Sequence, residues 1–310
     1  MIIGGNAGLR GNMSKIAAFL PGRALAVCLV LAVYAEVSAP GARAAEELTF
    51  AMLPQLTNVL TFSAWRPLLD RVEKETGIKF TMVFPKDFAE HMKLCREGKV
   101  DFAYSNPVIY AQISTRKKSE EIFHEVFALA MTPKGTDDFY GLFISRADDP
   151  GIKTFADIKG KKGWIVGKTS AAGFIFQNAY AMDKKIDLLK DCALTESPGN
   201  KQEKVVMAVY NREADFGTIR NGILEIMTDR IDTSQIRILA QTPRYPAWPL
   251  SARTGLKPET AKKVKEAFLR LPKELVSAAN LPGGVETFIP SKNADFDPVR
   301  KVLDKVKFKY

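Results

Sequence analysis

The chain has 310 residues, 46% of them hydrophobic, and carries 45 Lys and Arg against 35 Asp and Glu for a net charge of +10. That length is enough for two domains with apolar cores. The positive excess suits attraction of anionic solutes or simple solubility, but the basic residues are spread along the chain with no basic helix and no aromatic RNA-binding signature, so nucleic acid is not expected as a partner.

Residues 1–44 read as a targeting segment. Arg10, Lys15 and Arg23 give a basic start, Ala24–Tyr34 is an apolar run too short to span a bilayer comfortably, and Ala42-Arg43-Ala44 is a small-residue cleavage site. Cleavage after Ala44 predicts an exported, periplasmic chain of 266 residues starting at Ala45. It loses four basic residues (Arg10, Lys15, Arg23, Arg43) and one acidic (Glu36), so 45 and 35 become 41 and 34, a net charge of +7. Cys95 and Cys192 remain, fall in different predicted lobes, and are expected as free thiols.

From Glu47 the order is strand (Glu47–Leu53), Pro54-Gln55 turn, amphipathic helix (Ser63–Thr76) stopped by Gly77, strand (Ile78–Phe84), helix (Asp87–Arg96) and strand (Val100–Tyr104). This is a βαβαβ series, which predicts parallel strands with ligands beyond their carboxyl ends, at Leu53–Gln55 and Tyr104-Ser105-Asn106. Strands at Glu125–Thr132 and Asp138–Ser145 follow. A second α/β unit then occupies roughly 140–242, with strands at Trp164–Val166, Ala193–Glu196 and Phe216–Ile219 and a helix over Gln202–Arg212. Pro243–Ser251 is a Pro-rich return path before helices at Lys257–Leu271 and Lys273–Ala279.

The stretch WIVGKTSAAGFIFQNAY, Trp164–Tyr180, predicts a buried strand, a turn at Gly167 and a helix starting near Ser170. Thr169 and Ser170 are capping residue types, and Ala171, Ala172 and Gly173 are small enough to let an anion reach the unpaired N–H groups of the first turn. The plainer alternative is an ordinary strand–turn–helix link with a capping serine. A P-loop is excluded, because only three residues separate Gly163 from Gly167-Lys168-Thr169 where four are needed. His91 and His124 have no partners at metal-ligand spacing, and neither G-x-S-x-G nor H-E-x-x-H occurs, so no metal, cofactor or catalytic set is expected.

Several segments carry a resemblance: W-x-P-L-L-D at Trp65–Asp70, G-K-V-D-x-A-Y-x-x-P at Gly98–Pro107, F-Y-G-L-F-I-S-R at Phe139–Arg146, G-I-K-T-F-A-D-I-K-G-K-K at Gly151–Lys162 and N-R-E-A-D at Asn211–Asp215. Together they resemble the periplasmic phosphonate-binding (PhnD-like) proteins of ABC transporters, within the type II solute-binding class. The resemblance implies an α/β fold of two lobes, each a mostly parallel sheet flanked by helices, with the ligand cleft between them. The lobes would be residues 45–139 and 140–242, with 243–310 returning to the first, and crossings near Phe139–Tyr140 and Pro243–Tyr245. It also implies a non-enzymatic receptor that delivers a small oxyanion (phosphonate, phosphate or phosphite) to an inner-membrane permease, with a monomer expected.

Two departures bear on the ligand. Ser170-Ala171-Ala172-Gly173 stands where the family has a hydroxyl-rich S-T-S-G, and Gln202 where it has a histidine. Past Asp215, Arg220-Asn221-Gly222 stands where an acidic residue for a ligand amine is expected, which disfavours an amine-bearing ligand and offers a guanidinium fork for an anion. Tyr104 and Tyr140, half-apolar and half-polar, complete the candidate ligand set; Arg220 could equally pair with Glu225. Other readings remain open: a receptor for a different anion, one reporting to a sensor, or an enzyme on the same two-lobe fold with Cys192 as a cofactor attachment point.

Overall fold

Residues 47–54, 56–114, 123–135 and 138–308 are described in a computed structural model. The expected leader and Gln55 lie outside them. The first lobe opens with β1 (Glu47–Met52), α1 (Asn58–Thr76), β2 (Lys79–Val83), α2 (Phe88–Arg96), β3 (Phe102–Tyr104), α3 (Pro107–Ser114) and β4 (His124–Met131). The second follows with β5 (Gly141–Arg146), β6 (Lys162–Ile165), a π-helical turn over Ala171–Ile175 running into α4 (Phe176–Asp183), α5 (Leu188–Asp191), β7 (Ala193–Glu196), α6 (Gln202–Tyr210), β8 (Phe216–Arg220), α7 (Ile223–Ile226) and β9 (Ile236–Gln241). The chain then returns through β10 (Pro249–Arg253), α8 (Pro258–Leu269), α9 (Lys273–Ala278), β11 (Thr287–Pro290) and α10 (Asp297–Lys305).

Two separate sheets result, in the orders β11-β4-β10-β3-β1-β2 and β7-β6-β8-β5-β9. In the first, β1 pairs in parallel with β2 and β3, while β10 is antiparallel to both β3 and β4. In the second, β6 is parallel to β7 and β8, while β5 is antiparallel to β8 and β9. Neighbour pairing is therefore more mixed than the sequence predicts. The cause is how the chain changes sheets: it leaves at the carboxyl end of one sheet and enters the other from its corresponding end. The arriving strand, β5 or β10, therefore runs against its neighbours.

Two differences from expectation have a local physical reason. α1 begins five residues earlier, at Asn58, where Thr57 accepts the N–H of Leu60. Its first turn carries exposed Val59, Leu60 and Phe62, which hides the amphipathic pattern. The Pro-rich return ends in β10, an interior strand that tolerates proline because Pro249 is its first residue.

The first core joins α1 to the sheet through Trp65, whose ring lies 4.8 Å from both Phe50 and Tyr104. The second sheet buries Leu142, Ile144 and Ile219 against Val205 and Val209 of α6. An aromatic path links the lobes: Tyr104 to Trp248 at 5.3 Å, Trp248 to Phe139 at 6.4 Å, Phe139 to Phe176 at 5.9 Å and Phe176 to Tyr245 at 3.9 Å. The two crossings are paired with each other, Tyr245 N–H donating to Phe139 at 2.9 Å and Thr242 N–H to Gly141 at 2.9 Å.

Candidate functional site

The turn after β6 is held by close backbone approach. A Cβ on Gly167 would lie 2.0 Å from the Asn200 amide, which donates instead to the Val166 carbonyl at 2.9 Å. The chain then enters the π turn, in which Ile175 and Phe176 donate to the carbonyls five residues back, Ser170 and Ala171. Among the described residues, the N–H groups of Ala171, Ala172 and Gly173 donate to nothing. Three unspent donors at the positive end of a helical segment are groups of the kind that an anion accepts from. Ala171 and Ala172 are each 2% exposed and Ser170 is 8% exposed, so water screens this candidate cradle poorly.

Ser170 precedes the first turn, but its side chain makes no capping bond. Gly173 has no room for a side chain: a Cβ would lie 2.5 Å from the Cβ of Val166 and 2.6 Å from the Ser170 hydroxyl oxygen. Its smallness therefore serves packing against β6, where the sequence suggests open access for an anion. Thr169 is exposed beside Lys168, which pairs with Glu196 at 3.7 Å.

β8 supplies the charge. Its alternate residues Thr218 and Arg220 share one face of the sheet, and the Thr218 hydroxyl donates to the Gly173 carbonyl at 2.6 Å. Arg220, one step further along that face, donates from its guanidinium to the Asn221 carbonyl at 3.1 Å. Among the described residues no carboxylate pairs with it, Glu225 included. Burial pulls the guanidinium below the ordinary arginine range, and Glu203, the Tyr104 phenol and Glu225 push it partway back. It stays charged at neutral pH. Gln202, the first residue of α6, accepts the Arg220 N–H at 3.0 Å through its side-chain oxygen.

From the first lobe, Tyr104 reaches the same region: burial pushes its phenol up and Arg220 pulls it down. Tyr104 is 1% exposed. Ser105 is wholly buried, and its hydroxyl meets His91 Nε2 at 2.8 Å. Asn106 accepts the Ile109 N–H at 2.8 Å and so caps α3. Pro54 is half-buried beyond β1. Tyr140 lies at the crossing, where Asn221 accepts its N–H at 3.3 Å and the Arg244 guanidinium covers its ring at 4.8 Å. Arg244 also pairs with Asp138 at 3.0 Å. Nothing in the sequence singles out Thr218, Asp138 or Arg244. Among the described residues, no group of three or more His, Cys, Asp or Glu side chains could hold a metal ion.

A family model described as ABC transporter, phosphonate, periplasmic substrate-binding protein matches residues 50–296. The chain belongs to this family. Two curated relatives agree with it. The phosphonates-binding periplasmic protein of Escherichia coli is 24% identical over 251 residues, covering 77% of this chain and 70% of the relative. The phosphate-import protein PhnD of Mycolicibacterium smegmatis is 24% identical over 281 residues, covering 84% and 85%. In fold, the chain is similar to PhnD1 of Prochlorococcus marinus, solved in complex with methylphosphonate, with a TM-score of 0.70 at 11% identity over 84% of this chain and 98% of that one. As a phosphonate-family substrate-binding protein, the chain has a small-molecule ligand and an ABC permease as its partners. The relatives matched are transporter binding proteins, and no helix among the described residues is long and apolar enough to cross a membrane.

Proposed function

We propose that this protein, exported after cleavage at Ala44, is a monomeric, non-enzymatic receptor that takes up a small oxyanion of the phosphonate, phosphate or phosphite class. The ligand lies between a first lobe of residues 45–139 and 243–310 and a second of 140–242, and passes to the permease. One observation supports the reading: Arg220 is a half-buried cation that pairs with no carboxylate among the described residues, on the sheet face that holds the three unspent amides and opposite Tyr104 of the other lobe. A dianionic tetrahedral group supplies the missing charge and accepts from a guanidinium and several N–H groups at once. The names of the two curated relatives, one a phosphonate binder and one a phosphate importer, support this class. With Arg220 in the place expected for an acidic residue, the favoured ligand lacks a free amine.

The test is titration calorimetry of the mature chain with methylphosphonate, phosphate, phosphite, sulfate and acetate, repeated on Arg220→Gln. A tetrahedral phosphorus oxyanion should bind best, and the variant should lose about 100-fold, roughly 3 kcal/mol. Equal binding by Arg220→Gln, or no heat and no thermal shift with any of these anions, would overturn the reading.

A further inference from the structure

Two side chains behind the cradle fix its direction. The π turn takes the carbonyl of Ala172 out of the helical ladder, since Phe176 reaches past it to Ala171, as Ile175 reaches to Ser170. Ala172 itself has φ −98° and ψ 16°, outside the helical region. A carbonyl released in this way needs another donor, and here a side chain supplies it. The Gln177 amide nitrogen donates to the Ala172 carbonyl at 2.7 Å, and also reaches the carbonyls of Ile219 at 3.0 Å and Leu142 at 3.5 Å. The next carbonyl, that of Gly173, accepts from the Thr218 hydroxyl at 2.6 Å and from the Val166 N–H at 3.4 Å.

A trans peptide is planar, so its C=O and N–H point in opposite directions. Holding the Ala172 carbonyl down therefore aims the Gly173 N–H away from Gln177, and holding the Gly173 carbonyl aims the Phe174 N–H away from Thr218. We infer that Gln177 and Thr218 are positioning residues for anion capture: they touch no ligand, but set the peptide planes that carry the Gly173 N–H of the cradle and the Phe174 N–H next to it. The inference rests on the cradle reading above.

Two further observations support it. Gln177 is fully buried and its oxygen has no partner. With three carbonyls around the nitrogen the amide cannot turn over, and the unmet oxygen is a cost that generic packing would avoid. The fold also makes space for this side chain: a Cβ on Gly141, paired with Arg220 across β5 and β8, would lie 2.2 Å from the Gln177 nitrogen. Through Ile219 and Leu142 the same amide ties the cradle to the strand ends that carry Arg220.

The test uses inorganic phosphate and methylphosphonate with the mature chain and the variants Gln177→Met, Thr218→Val and Thr218→Ser. Affinity is read by calorimetry, folding by melting temperature, and the cradle by backbone amide shifts of Gly173 and Phe174 on anion addition. In the parent both amides should shift. Gln177→Met and Thr218→Val should bind about 10-fold or more weakly, with smaller shifts, while Thr218→Ser, which keeps the hydroxyl, should stay within about threefold. Lowered melting temperatures with unchanged affinity and amide shifts would make both residues merely structural and overturn the inference. So would a parent that binds, loses binding on Arg220→Gln, yet shows silent Gly173 and Phe174 amides; that result leaves the Arg220 site standing. If Gln177→Met fails to fold, the Thr218 pair and the parent amides decide. Absence of binding in the parent refutes the cradle itself.

Discussion

The two lobes bring different kinds of group to the cleft. On the first lobe Ser105 and Asn106 are consumed by their own scaffold, Ser105 turned to His91 and Asn106 capping α3, while Tyr104 packs its ring against Trp65 and Trp248. On the second, three amides and most of a guanidinium remain unspent. One lobe is a wall and the other a grip. Groups that satisfy each other within a lobe make it rigid, and only groups left unsatisfied there gain much from a ligand.

The wall can be broken most severely with acid. Among the described residues, His91 Nδ1 and His124 Nε2 are buried with no hydrogen-bond partner. Burial, aided by His124, pushes His91 down to about 3. Burial pushes His124 down to about 4, against the Val100 backbone and Asp101, with Arg253 adding to the depression. Between the unfolded imidazole value near 6.5 and these folded values, the unfolded chain binds protons the folded chain refuses. Stability should therefore be complete above about pH 6.5 and decline as pH falls toward 4, by up to about 1.4 kcal/mol per pH unit for each imidazole. A melting-temperature series across that range checks it, and imidazole resonances titrating near pH 6.5 in the folded protein would contradict it.

Next in size is Tyr104→Ala, which should cost about 3–5 kcal/mol of stability by opening a cavity beside Trp65. Tyr104→Phe should leave phosphate affinity within about threefold. A tenfold loss at unchanged melting temperature would make the wall part of the grip. On the other side, Gly173→Ala should destabilise by about 1–3 kcal/mol through overlap with the Val166 Cβ and the Ser170 hydroxyl, read as a lowered melting temperature. An unchanged melting temperature with affinity lost would return Gly173 to the role of an open approach for the anion. The smallest effect belongs to the exposed ion pair of Lys305 on α10 with Asp183 at the end of α4. Lys305→Ala should shift stability by less than about 1 kcal/mol in a denaturant titration.

The segments that made the family legible turn out to be scaffold. Trp65 centres the first core, Asp101 accepts the Thr49 N–H at 2.9 Å and pairs with Arg253. Asp157 accepts the Thr154 N–H at 2.8 Å, and Asp215 accepts the Lys162 N–H at 2.8 Å. Such residues occupy fixed places in a fold, so a linear pattern reveals them. Arg220 stands out in the sequence because it occupies the place where the resembled family has an acidic residue. The buried helix α3 does not, since all eight of its residues are buried and no polar face marks a period. Gln177 and Thr218 were invisible for another reason. Their partners are carbonyls in a π turn, and no alternation of side chains encodes a change in hydrogen-bond register.

The paired crossings constrain how the lobes can move. Phe139 and Tyr245 bridge antiparallel, with Thr242 bonded to Gly141 alongside, so the two strands form a narrow ribbon instead of two independent strings. A ribbon bends easily across its face and resists shear in its own plane. One bending coordinate should thus dominate any opening of the cleft, and twisting would first have to break the Tyr245 and Thr242 amide bonds. Those two amides become natural gauges of the motion: slow to exchange with solvent while the ribbon merely flexes, and fast once the strands part.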